Sequence, residues 1–364
     1  MNYFLLMFIF FCSFRTLASE FKVYGKIAKE LQFAKQEDKF NYKSHSGVID
    51  LENHETRLGA KGSRELESFN LKYNLELGIN SSRPDSATTT YKDTSGRVRI
   101  RLAYMKFLTQ FGNFTFGQDW TPTALLQVKK FDPLASTGAG LHSLAHDYYI
   151  ETPINIGRLG SEYRGRKDGW SYETPTWAGF KFTIWNDQND DSDLNPATAV
   201  GTEYWEYLLS YEKRWNDLNM NFYLTHRAWD IATKEDERYN LFGWNFEMNQ
   251  FGFSGSVSQS KEVTKATNKE SSKDYLEIGI SYKPFDKGTI AVTYGARENN
   301  DGVNANDSDI HNFSQVALGY IHQYNEYLRF HAVVFQFKYE EKDASLTAND
   351  NTALFTNLGA MVIF

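Results

Sequence analysis

An all-β chain closed into a membrane-spanning barrel is predicted here from three features of the sequence. Apolar and polar residues alternate with period 2 from end to end, the mark of strands whose two faces meet different surroundings. The connections between these segments are short and long in strict turn. The chain also stops on an aromatic, Phe364, in a segment (Leu354–Phe364) without a charged residue. A soluble terminus frays in water, whereas a closing strand is fully paired and turns its apolar face to lipid. The expected architecture is a 16-stranded antiparallel transmembrane β-barrel with short periplasmic turns, long extracellular loops and an inward-folded third loop.

The alternation is clearest in three segments. Phe69, Leu71, Tyr73, Leu75, Leu77 and Ile79 share one face, opposite Asn70, Lys72, Asn74, Glu76 and Gly78. Leu218, Met220, Phe222 and Leu224 oppose Asn219, Asn221, Tyr223, Thr225 and Arg227, and Leu276, Ile278, Ile280 and Tyr282 repeat the pattern. A one-residue slip would exchange the faces, so the register is strongly set. Strands are expected at about 21–33, 54–64, 68–79, 96–108, 112–119, 159–174, 177–187, 203–214, 217–229, 237–248, 250–262, 272–283, 287–298, 311–323, 326–340 and 353–364. Short turns fall at Glu65–Glu67, Thr109–Gly112, Pro175–Thr176, Trp215–Asn216, Asn249, Pro284–Asp286 and Tyr324–Asn325. Long polar loops fall near 34–53, 80–95, 120–158, 188–202, 230–236, 263–271, 299–310 and 341–352. Trp120, Trp177, Trp205, Trp215, Trp229, Tyr282, Tyr320 and Tyr327 lie near strand ends, as interfacial girdles require. Tyr and Trp are also simply good strand residues.

Composition agrees. Mean hydropathy of -0.55 is too polar for a bundle of membrane helices, but a barrel shows lipid only every second strand residue. Aromatics make up 16% of the chain, and the net charge of -7 argues against nucleic acid as a partner. Residues 1–19 read as a secretory signal, with an apolar run over Tyr3–Phe14 and cleavage after Ala18 or Ser19. No Lys or Arg precedes that run; Arg15 follows it, and its loss takes the net charge from -7 to -8. Cys12, the single cysteine, leaves with the signal, and no small residue precedes it as a lipidation site would need. Residues 20–364 then form one exported domain without disulfides.

The third loop is the longest. Thr123–Val128 is apolar enough for a helical turn or two, and Ser136–Leu141 is small and glycine-rich. A loop of that length is usually functional, and folding into the barrel would account for its half-apolar character. On the strand Gly96–Leu108, Val98, Ile100, Leu102 and Tyr104 form the expected lipid face, which sends Arg97, Arg99 and Arg101 into the lumen. Arg57 and Lys61 share a parity on the second strand, and Lys72 also faces inward. Such a ladder repels itself unless water or acids stand near. The loop supplies Asp132 and Asp147, with Asp119 at its root and Glu151 near its return, beside Lys129 and Lys130. The alternative is a solvated sheet face with ordinary surface charges. If ladder and loop do face each other, low-dielectric walls focus a field across a narrow water column. Solutes then pass by passive diffusion, with neither catalysis nor a cofactor.

Several segments resemble the general, non-specific porins of Gram-negative bacteria: Phe21–Glu30 (FKVYGKIAKE), Thr56–Gly62 (TRLGAKG), Arg101–Gly117 (RLAYMKFLTQFGNFTFG), Tyr172–Phe180 (YETPTWAGF) and the terminal LGAMVIF. Their order spans the whole mature chain. The resemblance implies an outer-membrane barrel of sixteen strands, a homotrimer amid lipid and lipopolysaccharide, and passage of small hydrophilic solutes and ions. It places Arg57 and Arg101 in the basic wall of the constriction and gives the terminal aromatic, Phe364, a part in membrane assembly. Ser171 stands where that family often has a basic residue, and Lys167 or Arg166 is the substitute. The third loop also lacks the family's more acidic stretch.

Three other readings compete. A channel selective for a sugar, nucleoside or phosphate would need an aromatic track, which Tyr148 and Tyr149 could begin, or a dense arginine cluster. An envelope enzyme would draw on His142, Ser143, His146 and Asp147, but their spacing fixes neither a third metal ligand nor a base–orienter pair. A secreted soluble β-protein would leave the cell without detergent.

Overall fold

The computed structural model describes residues 20–37, 42–50, 56–80, 97–141, 165–187, 202–231, 235–264, 268–301, 310–342 and 348–364. The strands are β1 (Glu20–Glu37), β2 (Tyr42–Asp50), β3 (Arg57–Glu65), β4 (Asn70–Asn80), β5 (Arg97–Thr109), β6 (Gly112–Trp120), β7 (Arg166–Glu173) and β8 (Phe180–Asp187). They continue with β9 (Thr202–Trp215), β10 (Leu218–Ile231), β11 (Glu235–Met248), β12 (Phe251–Thr264), β13 (Lys269–Phe285), β14 (Gly288–Asp301), β15 (Ile310–Gln323), β16 (Leu328–Lys342) and β17 (Ala348–Ile363). Each pairs antiparallel with its neighbours, and β17 pairs with β1 to close the sheet. β2 and β3 share one place in the wall: β1 pairs with β3 over Glu20–Lys26 and with β2 over Lys29–Glu37. The seventeen segments therefore make a sixteen-stranded closed barrel.

The short turns owe their tightness to residues that tolerate positive φ. Asn216 (φ 53°) and Asn249 (φ 52°) each open a two-residue connection. Between β7 and β8 the work falls to Ala178 (φ 50°) and Gly179 (φ 90°), so β8 starts at Phe180 rather than Trp177. Exposed aromatics ring this end of the barrel: Phe111, Trp177, Trp215, Phe251, Phe285, Tyr324, Tyr327 and Phe364. Closure brings the terminal residue into that ring. The Gly25 N–H donates to the Phe364 carbonyl (2.8 Å) and the Phe364 N–H to that of Gly25 (3.0 Å). Gly25 is needed for close approach, because a Cβ there would lie 2.5 Å from the Phe364 ring.

Two expectations are corrected. The long first loop, expected at 34–53, contains strand: β1 runs on to Glu37 and β2 pairs beside it. β2 (YKSHSGVID) is largely polar in both parities, so it has no apolar alternation to reveal it. Alternation on β5 also breaks. Glu76 pairs with Leu102 and Leu77 with Ile100, which leaves Arg101 as a bulge. The extra residue reverses parity. Val98, Ile100 and Met105 are exposed outside, whereas Leu102 is buried and pairs with the inward-facing Glu76. The expected lipid face of Leu102 and Tyr104 is therefore an inner face.

The third loop folds inward. After Trp120 the chain forms α1 (Pro122–Leu126), continues as a single wider helical turn (Gln127–Phe131), and runs buried through Leu141. Pro122 suits the first helical position, where no amide partner is needed. Its apolar bed is on the inner wall: Leu134, Ala139 and Leu141 pack with Phe313, Val333, Phe335, Phe337 and Phe355. This accounts for the untidy parity of the C-terminal strand, where Phe355 and Met361 point inward while Leu354, Leu358 and Val362 face out.

Candidate channel constriction

Four strands bring the basic wall together. Arg57 on β3 and Arg101 on β5 both reach Glu76 on β4: Arg57 Nη1 lies 3.1 Å and Arg101 Nε 2.8 Å from the same carboxylate oxygen. The other oxygen accepts from the Tyr24 hydroxyl of β1 at 2.9 Å, and that hydroxyl also reaches Asn74 at 2.9 Å. Lys61 lies over the Tyr24 ring, 5.1 Å from its centroid. The bulge at Arg101 turns that side chain onto Glu76, where it is fully buried. Lys26 is buried too, within electrostatic reach of Arg57, Arg101, Arg329 and Glu76. Arg57 and Arg101 thus share one carboxylate, with Lys26 and Lys61 beside them, which leaves a positive excess in a low-dielectric wall, while Arg329 has Glu30 as its acidic neighbour.

The loop body leans the other way. Phe131 packs edge-on against Tyr223 of β10 (5.6 Å) and fills the space that the missing Cβ of Gly243 leaves on β11. Ser254 Oγ donates to the Phe131 carbonyl (2.7 Å), and Asn245 Nδ2 to that of Lys130 (3.0 Å). Glu206 of β9 accepts from the Thr123 amide near the start of α1. At the far side Glu30 of β1 accepts from the Gly138 amide (2.8 Å), from Asn357 (2.6 Å) and pairs with His331. Gln315 donates to the Ala139 carbonyl (2.6 Å) and Arg329 to that of Ser136 (3.1 Å). The loop therefore lies across the lumen on β9–β17 and the edge of β1, facing the basic strands β3–β5.

The sequence-derived site is only partly assembled. Arg57 and Arg101 meet at Glu76, Lys61 stands beside them, and Arg99 is exposed on the same strand as Arg101. Arg97 is described through its backbone pairing with Asn80 alone. Lys167 stands apart, 3.5 Å from Asp187 of β8 and opposite Asp119 in the β6–β7 register. Asp119 accepts from the Trp120 amide (2.8 Å) on the wall itself. The two oxygens of Asp132 accept from the Leu134 (2.8 Å) and Leu141 (2.6 Å) amides and hold the loop's own turn. Asp147 and Glu151, like His142, Ser143, His146, Tyr148 and Tyr149, lie outside the described residues, as do residues 1–19. Sequence reasoning missed Glu76, Lys26, Arg329 and Glu30. The inward parity of Lys72, Asn74 and Glu76 was the available signal for the first of these.

A closed sixteen-stranded barrel with an apolar outer belt and a folded loop across its lumen is a multi-pass outer-membrane channel protein. The chain matches the Gram-negative porin family over residues 5–345, and it belongs to that family. Its barrel is that of a channel rather than an enzyme. Among solved structures it is similar to the anion-selective porin from Comamonas acidovorans (TM-score 0.69, 16% identity, covering 95% of this chain and 99% of that one). It is also similar to the trimer form of OmpT from Vibrio cholerae (TM-score 0.65, 16% identity, 95% and 99%). The outer-membrane channel DcaP of Acinetobacter baumannii follows at TM-score 0.64 and 13% identity, covering 95% and 97%. No curated protein matches the chain.

Proposed function

We propose that this porin is a passive diffusion channel for small hydrophilic solutes, that it works as a homotrimer amid lipid and lipopolysaccharide, and that it prefers anions. The observation that carries the preference is that two arginines, Arg57 and Arg101, share the one carboxylate of Glu76, with Lys61 over the adjoining Tyr24 ring. A small anion entering the narrow lumen loses part of its hydration and gains the focused positive potential, whereas a cation meets a barrier of the same origin. The exposed Lys61, Lys72 and Arg99 extend that potential along the water-accessible face. Asp132, one of the acids that the sequence set against the arginines and the one among the described residues of the loop body, is held by backbone amides of its own turn. Residues 1–19 act as the export signal in this reading, and Phe364 as the assembly mark.

Liposome swelling with a size series of neutral sugars tests the diffusion part. Rates should fall smoothly with solute size and show no saturation. Saturation by one solute would replace this reading with a substrate-selective channel. Conductance steps in groups of three should accompany trimer insertion.

A further inference from the structure

On the short-turn side of the loop body lies a cavity of about 130 Å³ that the constriction does not use. Lys129 and Lys130 of the loop, Lys283 of β13 and the turn residues Asn249 and Gln250 line it, with Ser254 and Ser281 on the inner wall. We propose that it binds a small oxyanion, phosphate or a short carboxylate, a role that rests on the channel reading because only a permeating solute reaches it.

The lining carries more positive than negative charge, three lysines against Asp132 and Glu247. Wall donors already occupy the loop's carbonyls, since Asn245 takes that of Lys130 and Ser254 that of Phe131. The Gln250 carbonyl accepts from the Lys283 amide at 2.9 Å. Asp132 spends both carboxylate oxygens on backbone amides. Among the described residues, none of the three ammonium groups forms an ion pair, and Glu247 is the remaining acid of the lining. Three lysines thus stand against the two carboxylates of Asp132 and Glu247, so the lining keeps a net positive charge, and Ser281 adds a hydroxyl donor, a set suited to several oxygens carrying negative charge. A volume of 130 Å³ holds about four waters, which a phosphate-sized group can displace. Asn249 and Gln250 form the β11–β12 turn, so the site sits below the constriction and on the opposite wall from Arg57 and Arg101.

Titration of inorganic phosphate against chloride conductance in a planar bilayer, at constant ionic strength and pH, tests the site. Chloride current should fall and saturate with phosphate. The K130Q/K283Q variant should need roughly tenfold more phosphate for half-block while keeping its phosphate-free conductance and reversal potential. Glu247→Gln should move half-block the other way, to lower phosphate. Absence of saturable block, or block that neither variant changes, would overturn the site. A folded, reconstituted barrel that passes no ions would instead sink the channel reading on which the site depends.

Discussion

At the residue scale, Glu76 decides how the basic wall is held. Its two oxygens fix Arg57, Arg101 and Tyr24, and the Arg101 pair is cut off from water. Leaving one member of such a pair alone costs on the order of 3–5 kcal/mol. Glu76→Gln should therefore lower the unfolding temperature of the barrel and, in the protein that still assembles, push the reversal potential further toward anions. A reversal potential equal to that of the parent would mean the cluster lies off the conduction path. Arg57 and Arg101 were legible from the family resemblance, and the inward parity of Glu76 on the strand between theirs was there to be read. Lys26 was not, because only closure of the wall brings β1 beside β3. The turn that Asp132 caps was not legible, because acid content says nothing of which amides a carboxylate will hold.

At the scale of elements, loop 3 is held by Phe131 over Gly243 at one end and by Glu30 at the other. Phe131→Ala would remove a fully buried ring, a change that costs about 3–5 kcal/mol in a packed core. The expected outcome is a noisier channel with larger mean conductance, read from single-channel records; an unchanged conductance would show that the loop body does not set the pore. Glu30→Gln should have a smaller effect of the same sign, since the amide keeps one acceptor for Gly138. The strands themselves were readable wherever one face meets lipid. Alternation failed at β2, which is largely polar in both parities, at the Arg101 bulge, and on β15–β17, where Phe313, Phe335 and Phe355 face inward to bed the loop. In each case the two sides of the wall do not differ in the way period 2 assumes.

At the scale of the whole molecule, β17 closes on β1 and sets Phe364 beside Gly25 in the aromatic ring of the short-turn end. Deleting Phe364 should reduce the heat-modifiable, membrane-assembled fraction several-fold while the channels that do form keep nearly the parent conductance. Normal assembly without it would remove its role as a mark. The same closure fixes the electrical asymmetry of the lumen, with the cationic cluster on β3 and β5 facing a loop whose described acid caps its own turn. Screening sets the range of that field: the Debye length is about 10 Å at 0.1 M salt and about 3 Å at 1 M, so selectivity should weaken as salt rises. The most direct measurement is the zero-current potential of the reconstituted porin across a tenfold KCl gradient, for the parent and for R57Q/R101Q. The parent should show the sign of chloride preference and the double variant a clear shift toward potassium. A potassium-selective parent, or a double variant with the same potential as the parent, would contradict the basic wall as the element that selects what passes.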